Sequence, residues 1–115
     1  MARLRARHLP HRIDITRLTG EGAEGPVWAA PDLSRPAYVE QKSKLVIDRR
    51  STSATHGQEI IVTAWAVLLP EDDTAPSSKV LMFKGTPRER EAEVVGSDLY
   101  DYNADTPNHV EIYLA

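Results

Sequence analysis

Residues 59–69, EIIVTAWAVLL, form the most apolar stretch of the chain and decide its fold class. The stretch is rich in β-branched and aromatic side chains, and Gly57 and Pro70 bound it, which favours extended backbone over a buried helix. Its apolar side chains fall on both faces of a strand. We therefore predict that it is the central, most buried strand of a sheet.

The chain before this stretch predicts further strands joined by a polar loop. Residues 11–18 alternate apolar and polar side chains, as a half-buried strand does. Residues 37–47 (AYVEQKSKLVI) predict two short strands or one bent strand. Residues 48–58 (DRRSTSATHGQ) are polar throughout and predict the loop of a hairpin, in which Gly57 can take a positive φ angle.

Residues 19–36 predict a long ordered loop. They contain three of the six glycines and three of the eight prolines, and both residue types oppose regular structure. Trp28 lies within this loop, either as a hydrophobic lid on one end of the core or as an anchor that faces a partner.

The chain after residue 70 predicts three more strands. Residues 71–78 form an acidic, turn-rich connection to a strand at 79–83. Residues 88–95 fit a strand better than a helix of barely two turns, and residues 108–114 alternate as a last strand. Six or seven short strands with regular turns predict an all-β protein, a small antiparallel β-barrel or sandwich.

Length and charge point to one domain with a basic arm. A chain of 115 residues suffices for one core, so we predict an arm at residues 1–10 and a single barrel domain at 11–115 with residues 48–58 protruding. Residues 1–12 hold four of the 14 basic side chains and none of the 17 acidic ones. The acidic remainder argues against a conventional DNA-binding domain. The arm can be solvated, or pair with an acidic neighbour or with phosphates.

The sequence offers no chemistry typical of an enzyme. It has no cysteine, no signal-peptide-like apolar segment and no phosphate-loop, zincin or serine-hydrolase motif. We predict no enzyme activity, no cofactor, no metal site and no membrane contact, with residues 71–73 as a solvated turn. The four histidines are too scattered for a metal site: His8, His11, His56 and His109.

The predicted hairpin loop is the best candidate for a functional site, although disorder alone would also explain its length. Hairpin loops usually have about 2 to 5 residues, whereas this one spans residues 48–58. Its side chains can donate hydrogen bonds to phosphates without reading bases. The candidate residues are Arg49, Arg50, Ser51, Thr52, Ser53, Thr55 and His56.

The order of these segments resembles head-to-tail stopper (head completion) proteins of long-tailed bacteriophages. The resemblance covers about residues 10–115 and rests on HRIDITRLTG, VTAWAVLLPEDD, REREAEVVGSD and TPNHVEIYLA at their spacing in the chain. It implies a small β-barrel, made in the host cytoplasm, that forms a sixfold or twelvefold ring in the virion neck. The ring lies between the portal and adaptor above and the tail terminator and tail tube below, retains packaged DNA and provides the tail docking surface.

The resemblance also implies roles for particular residues. The family's channel-facing loop matches residues 48–58, so Arg49 and Arg50 would face the DNA end or pair with acidic neighbours in the pore. Residues 51–55 would form a flexible tip that closes and reopens. Contacts with an adjacent ring are implied for Arg3, Arg5 and Arg7 of the arm. Trp28, as the partner-facing anchor considered above, is the other candidate for a contact between subunits or rings.

Two other functions stay open. A tail terminator or minor tail protein would share the assembly role at another position. An OB-like barrel that binds single-stranded nucleic acid would stack bases on exposed aromatic side chains, although the 6% aromatic content and the acidic body count against it. The aromatic candidates are Trp28, Tyr38, Tyr100 and Tyr102.

Overall fold

A computed structural model describes residues 8–23, 25–51, 53–100 and 108–115. The protein is all-β, as predicted. A short 3₁₀ turn spans Pro70–Asp72, and no helix of the described residues is long and apolar enough to cross a bilayer. The strands are β1 (His11–Thr16), β2 (Leu18–Gly22), β3 (Gly25–Trp28), β4 (Asp32–Glu40), β5 (Lys44–Ile47), β6 (Glu59–Val62), β7 (Ala64–Leu68), β8 (Lys79–Met82), β9 (Arg90–Tyr100) and β10 (His109–Leu114).

Six strands close into an antiparallel barrel in the order β1-β4-β7-β10-β9-β8, with β8 returning to β1. The predicted small antiparallel barrel is therefore confirmed. Alternate side chains of every strand point inward and pack together, so the inside is filled. The buried core is Ile13, Ile15, Ala37, Val39, Ala64, Ala66, Leu68, Val80, Met82, Ala92, Val94, Val110, Ile112 and Leu114.

Residues 19–36 are not a long loop, and that prediction was wrong. They hold most of the β2–β3 hairpin and the start of β4. Gly25 has a φ of +115° just after the turn, a conformation that glycine adopts freely. Pro26 is tolerated because each strand of a two-stranded sheet has an edge without a ladder partner. Ser34, at φ +55°, forms an irregularity in β4 where its backbone N–H donates to Asp14 Oδ1 at 2.9 Å.

Residues 59–69 are two strands rather than one, which corrects the prediction of a single central strand. The β7 half lies between β4 and β10 and is the buried one. The β6 half pairs only with β5 and exposes Ile61. The chain leaves the hairpin and enters the barrel at Thr63, whose Oγ1 accepts a hydrogen bond from Arg90 Nη2 at 2.8 Å.

The β5–β6 hairpin lies against the outside of the barrel. Its inner face contributes Val46, Ile60 and Val62, which pack on Trp65 of β7, Val95 of β9 and Tyr113 of β10. Residues 48–58 connect the two strands, as predicted, and Gly57 has the expected positive φ of +80°. The remaining predicted strands at 37–47, 79–83, 88–95 and 108–114 are present with shifted ends, and β9 extends to Tyr100.

Candidate functional site

The outer face of the β5–β6 hairpin is apolar and exposed. Leu45 and Ile61 lie directly opposite each other in the ladder and are 60% and 68% exposed. Ile47 adds to the same face at 46%. These three neighbouring aliphatic side chains form an exposed apolar patch on the hairpin. These three residues are called the hairpin outer face below.

A buried carboxylate organises the loop at the end of this hairpin. Asp48 is fully buried, directly after β5. Its Oδ1 accepts hydrogen bonds from the backbone N–H and Nε of Arg50, each at 3.0 Å, and its Oδ2 accepts one from Arg50 Nη2 at 3.0 Å. The hydroxyls of Ser53 and Thr55 also donate to Oδ2. These four residues are called the Asp48 cluster.

The negative charge of Asp48 is balanced by the guanidinium group of Arg50. The two-pronged hydrogen bond from Arg50 lowers the pKa of Asp48 well below its usual range, and the hydroxyl donors add to this effect. The same contact raises the pKa of Arg50. Arg50 Nη1 also lies 3.3 Å from Glu93 Oε1 on β9. Arg50 is therefore a structural cation that joins the loop to the barrel.

Arg49 differs from its neighbour. Its side chain is exposed and forms no salt bridge with any residue in the described ranges. Its backbone N–H donates to the carbonyl of Val95 at 2.9 Å, which holds this residue against β9. Of the two predicted arginines, Arg49 alone presents a charge that a partner can reach.

The predicted flexible tip is largely tied down. Ser53 and Thr55 belong to the Asp48 cluster, and His56 Nδ1 lies 3.0 Å from the carbonyl oxygen of Arg50. Ser51 is exposed. Thr52 lies outside the described residues, as do Arg3, Arg5 and Arg7 of the predicted arm.

Sequence reasoning named the partners of Asp48 but missed Asp48 itself. The available signal was an aspartate at the end of an apolar run with Ser and Thr soon after, because Asp side chains commonly bond the backbone two residues on. A further miss is Asp72, predicted within a solvated turn. It is buried, and Arg35 Nη2 lies 3.0 Å from its Oδ2, a contact that raises the pKa of Arg35.

A shallow groove of about 310 Å³ lies between β5 and the outer side of β9 and β10. Lys44 stands in its wall with Nζ 4.8 Å from the ring centre of Tyr113 and 3.7 Å from Glu111 Oε2. The Tyr113 hydroxyl donates to Asp98 Oδ2 at 2.7 Å, and burial raises its pKa. The charged and hydrogen-bonding groups of Lys44, Glu111, Tyr113 and Asp98 therefore satisfy one another within the chain.

A second groove, of about 160 Å³, lies on another side of the barrel. Leu81 of β8 lies in its wall with Asp14 of β1 and Glu91 of β9 directly across the ladder on either side. Leu33 of β4 also lines it and is 61% exposed. This surface is called the β1–β8 groove.

Trp28 does not close the barrel core, so the lid interpretation is wrong. It lies on β3 at 36% exposure, outside both clusters of buried residues, with Lys79 Nζ 4.8 Å from its ring centre. Its role as a partner-facing anchor stays a prediction. No group of metal-ligating side chains comes together within the described ranges.

The fold and site define a filled β-barrel that carries an apolar hairpin with an internally braced tip. Comparisons with protein-family models, curated proteins and solved structures give no significant match for this chain.

Proposed function

We propose that this chain is a head-to-tail stopper in the neck of a long-tailed bacteriophage, where a ring of copies retains packaged DNA and receives the tail. The observation that carries the proposal is the β5–β6 hairpin, an apolar arm on a filled barrel with a tip braced by the Asp48 cluster. The segment order quoted above supports the same assignment.

Because the interior of the barrel is filled with side chains, any partner must contact its outer surface. Fourteen side chains fill the inside of the barrel, which leaves no room there for a ligand. The hairpin outer face, by contrast, exposes three aliphatic side chains to water, a feature that is costly unless a partner covers it. An assembly protein needs this combination of a rigid body and exposed contact surfaces.

The braced tip suits a part that must hold its shape beside DNA. Hydrogen bonds within the Asp48 cluster hold Arg50, Ser53 and Thr55 in place without help from another subunit. Arg49 leaves one cation in reach of phosphates or of an acidic neighbour in the pore. Contacts of this kind are independent of base sequence, as retention of a genome end requires.

Ring formation requires each subunit to use two different surfaces, because neighbours in a ring meet head to tail. The basic arm, with Arg3, Arg5 and Arg7, is proposed to contact an adjacent ring of the neck, with the adaptor and portal above and the tail below. No cofactor or metal takes part in this function.

The test uses the phage that encodes this chain, with a nonsense codon in its gene. We expect heads that package DNA and then lose it, with normal free tails, and rescue by the wild-type protein supplied in trans. Supply of a variant that lacks residues 51–55 should give joined particles with reduced nuclease-protected DNA. Circular dichroism of that variant checks that the barrel persists.

Other outcomes would reassign the protein. Heads that keep their DNA beside defective tails would make it a tail terminator or minor tail protein. Tight, salt-sensitive binding of the free protein to single-stranded oligonucleotides would instead support the OB-like function.

A further inference from the structure

The hairpin outer face and the β1–β8 groove occupy different parts of the outer surface of the barrel. The hairpin packs on Tyr113 of β10, and β10 stands opposite β1 in the closed strand order, three strands away in either direction. The β1–β8 groove is centred on Leu81 of β8, between Asp14 of β1 and Glu91 of β9. It therefore lies two strands from β10 and shares β9 with the surface on which the hairpin packs. Ile61 projects from the first surface, and the second surface is a recess.

The two surfaces match in shape and chemistry. Ile61 is the most exposed large aliphatic side chain in the described ranges, and the groove between Leu33 and Leu81 has about 160 Å³, enough for one aliphatic side chain with part of a second. Pro31, Leu33 and Leu81 form the apolar part of the groove, and Asp14, Thr16, Lys79 and Glu91 line the rest. Ile61 is thus a projection and the β1–β8 groove is a recess, and the two occupy different parts of the surface of one molecule.

Charge at the edges of these surfaces is complementary. Arg49, at the end of the hairpin, forms no salt bridge with a residue in the described ranges, and the same holds for Glu91 beside the groove. Both are exposed. The cation of Arg49 at one surface and the anion of Glu91 at the other favour contact between the two surfaces.

We propose that the partner of the hairpin outer face is a second copy of this chain, which receives Ile61 in its β1–β8 groove and pairs its Glu91 with Arg49. This contact is heterologous, so it repeats around an axis. The inference rests on the proposed ring and specifies which surfaces form it.

The absence of cysteine from the chain allows a direct test. Ile61→Cys and Leu33→Cys are prepared separately, mixed at about 0.5 mM to populate a weak complex, and treated with a short bismaleimide. Leu99→Cys is the matched control, since Leu99 is 60% exposed and lies outside both surfaces. We expect the Ile61→Cys and Leu33→Cys mixture to give at least fivefold more dimer than the Ile61→Cys and Leu99→Cys mixture.

A charge exchange tests the predicted pair. Arg49→Glu in the Ile61→Cys chain should reduce the mixed dimer severalfold, and Glu91→Arg in the Leu33→Cys chain should restore it. Equal crosslinking to Leu99→Cys, dimers formed mainly by Ile61→Cys alone, or no restoration by the exchange would overturn the proposal. If crosslinking fails but heads without the protein still leak DNA, only the surface assignment falls. If crosslinking succeeds and such heads keep DNA, the contact stands without the stopper function.

Discussion

The buried carboxylate of Asp48 anchors the loop that follows β5, because its two oxygens accept hydrogen bonds from Arg50, Ser53 and Thr55. A buried charge left without partners costs several kcal/mol, so the loop has a strong reason to keep Arg50, Ser53 and Thr55 around it. Arg49 and Arg50 are adjacent and identical in type, yet of the two only Arg50 donates hydrogen bonds from its side chain to Asp48.

Substitution of each arginine by lysine should lower the free energy of unfolding at position 50 but not at position 49. Arg50→Lys keeps the charge but loses the two-pronged contact with Asp48, and we expect about 2 kcal/mol lower free energy of unfolding. Arg49→Lys changes an exposed side chain and should stay within about 0.5 kcal/mol of wild type. Urea denaturation of both variants measures the difference, and equal losses would contradict the assignment.

Asp48→Asn should be destabilising in a pH-dependent way. The pKa of Asp48 is lowered in the folded state, so its stabilising effect is present above the ordinary aspartate pKa of about 4 and is lost as the pH falls toward the folded-state pKa. We expect a deficit of about 3 kcal/mol at pH 7 that shrinks below pH 4. Free energies of unfolding between pH 2.5 and 7 test this.

The control for this titration is Glu71→Gln, which removes an exposed carboxylate. Its difference from wild type should stay within about 0.5 kcal/mol across the same range. A deficit for Asp48→Asn that grows with acid would show that the sign assigned to Asp48 is wrong.

The β5–β6 hairpin has one face that packs on the barrel and one face that is exposed to water. Adjacent residues of β6 alternate between these faces, so Ile61 lies in water and Val62 is fully buried. The apolar run at 59–69 looked like one buried strand because both kinds of apolar surface occur in it. Pattern alone cannot distinguish a side chain covered by its own chain from one that is left for a partner.

Threonine substitutions at these two neighbours should change the free energy of unfolding by very different amounts. Val62→Thr places a hydroxyl among Val46, Val95 and Tyr113, and we expect a loss of about 2 kcal/mol. Ile61→Thr should change the free energy of unfolding by less than about 0.5 kcal/mol, because the site is exposed. Thermal or urea denaturation compares them. A large loss at Ile61 would mean that the hairpin outer face packs within the monomer.

The whole molecule combines a stable body with small contact surfaces. The hairpin outer face consists of three aliphatic side chains, far below the roughly 1,200 to 2,000 Å² that a stable interface buries. Assembly therefore depends on many weak contacts made together around an axis, or on a neighbouring ring that gathers the copies.

Dilute protein should accordingly be monomeric. Sedimentation velocity at about 10 μM is expected to give one species of monomer mass. Contacts of this size are weak, so their Kd should lie well above that concentration. Ile61→Thr should leave this profile unchanged. A stable closed oligomer at this concentration would contradict weak self-association and require a much larger interface.

The sequence by itself determined the all-β class, a small antiparallel barrel or sandwich, and the polar loop at 48–58, because alternation, β-branched content and turn residues are local signals. Only the tertiary structure decided that residues 59–69 split at Thr63, that Trp28 lies outside the core and that Asp48 is buried. These features depend on which strands meet across the closed barrel and which side chains a distant segment covers. Such contacts join residues far apart in the chain, and no local pattern encodes them.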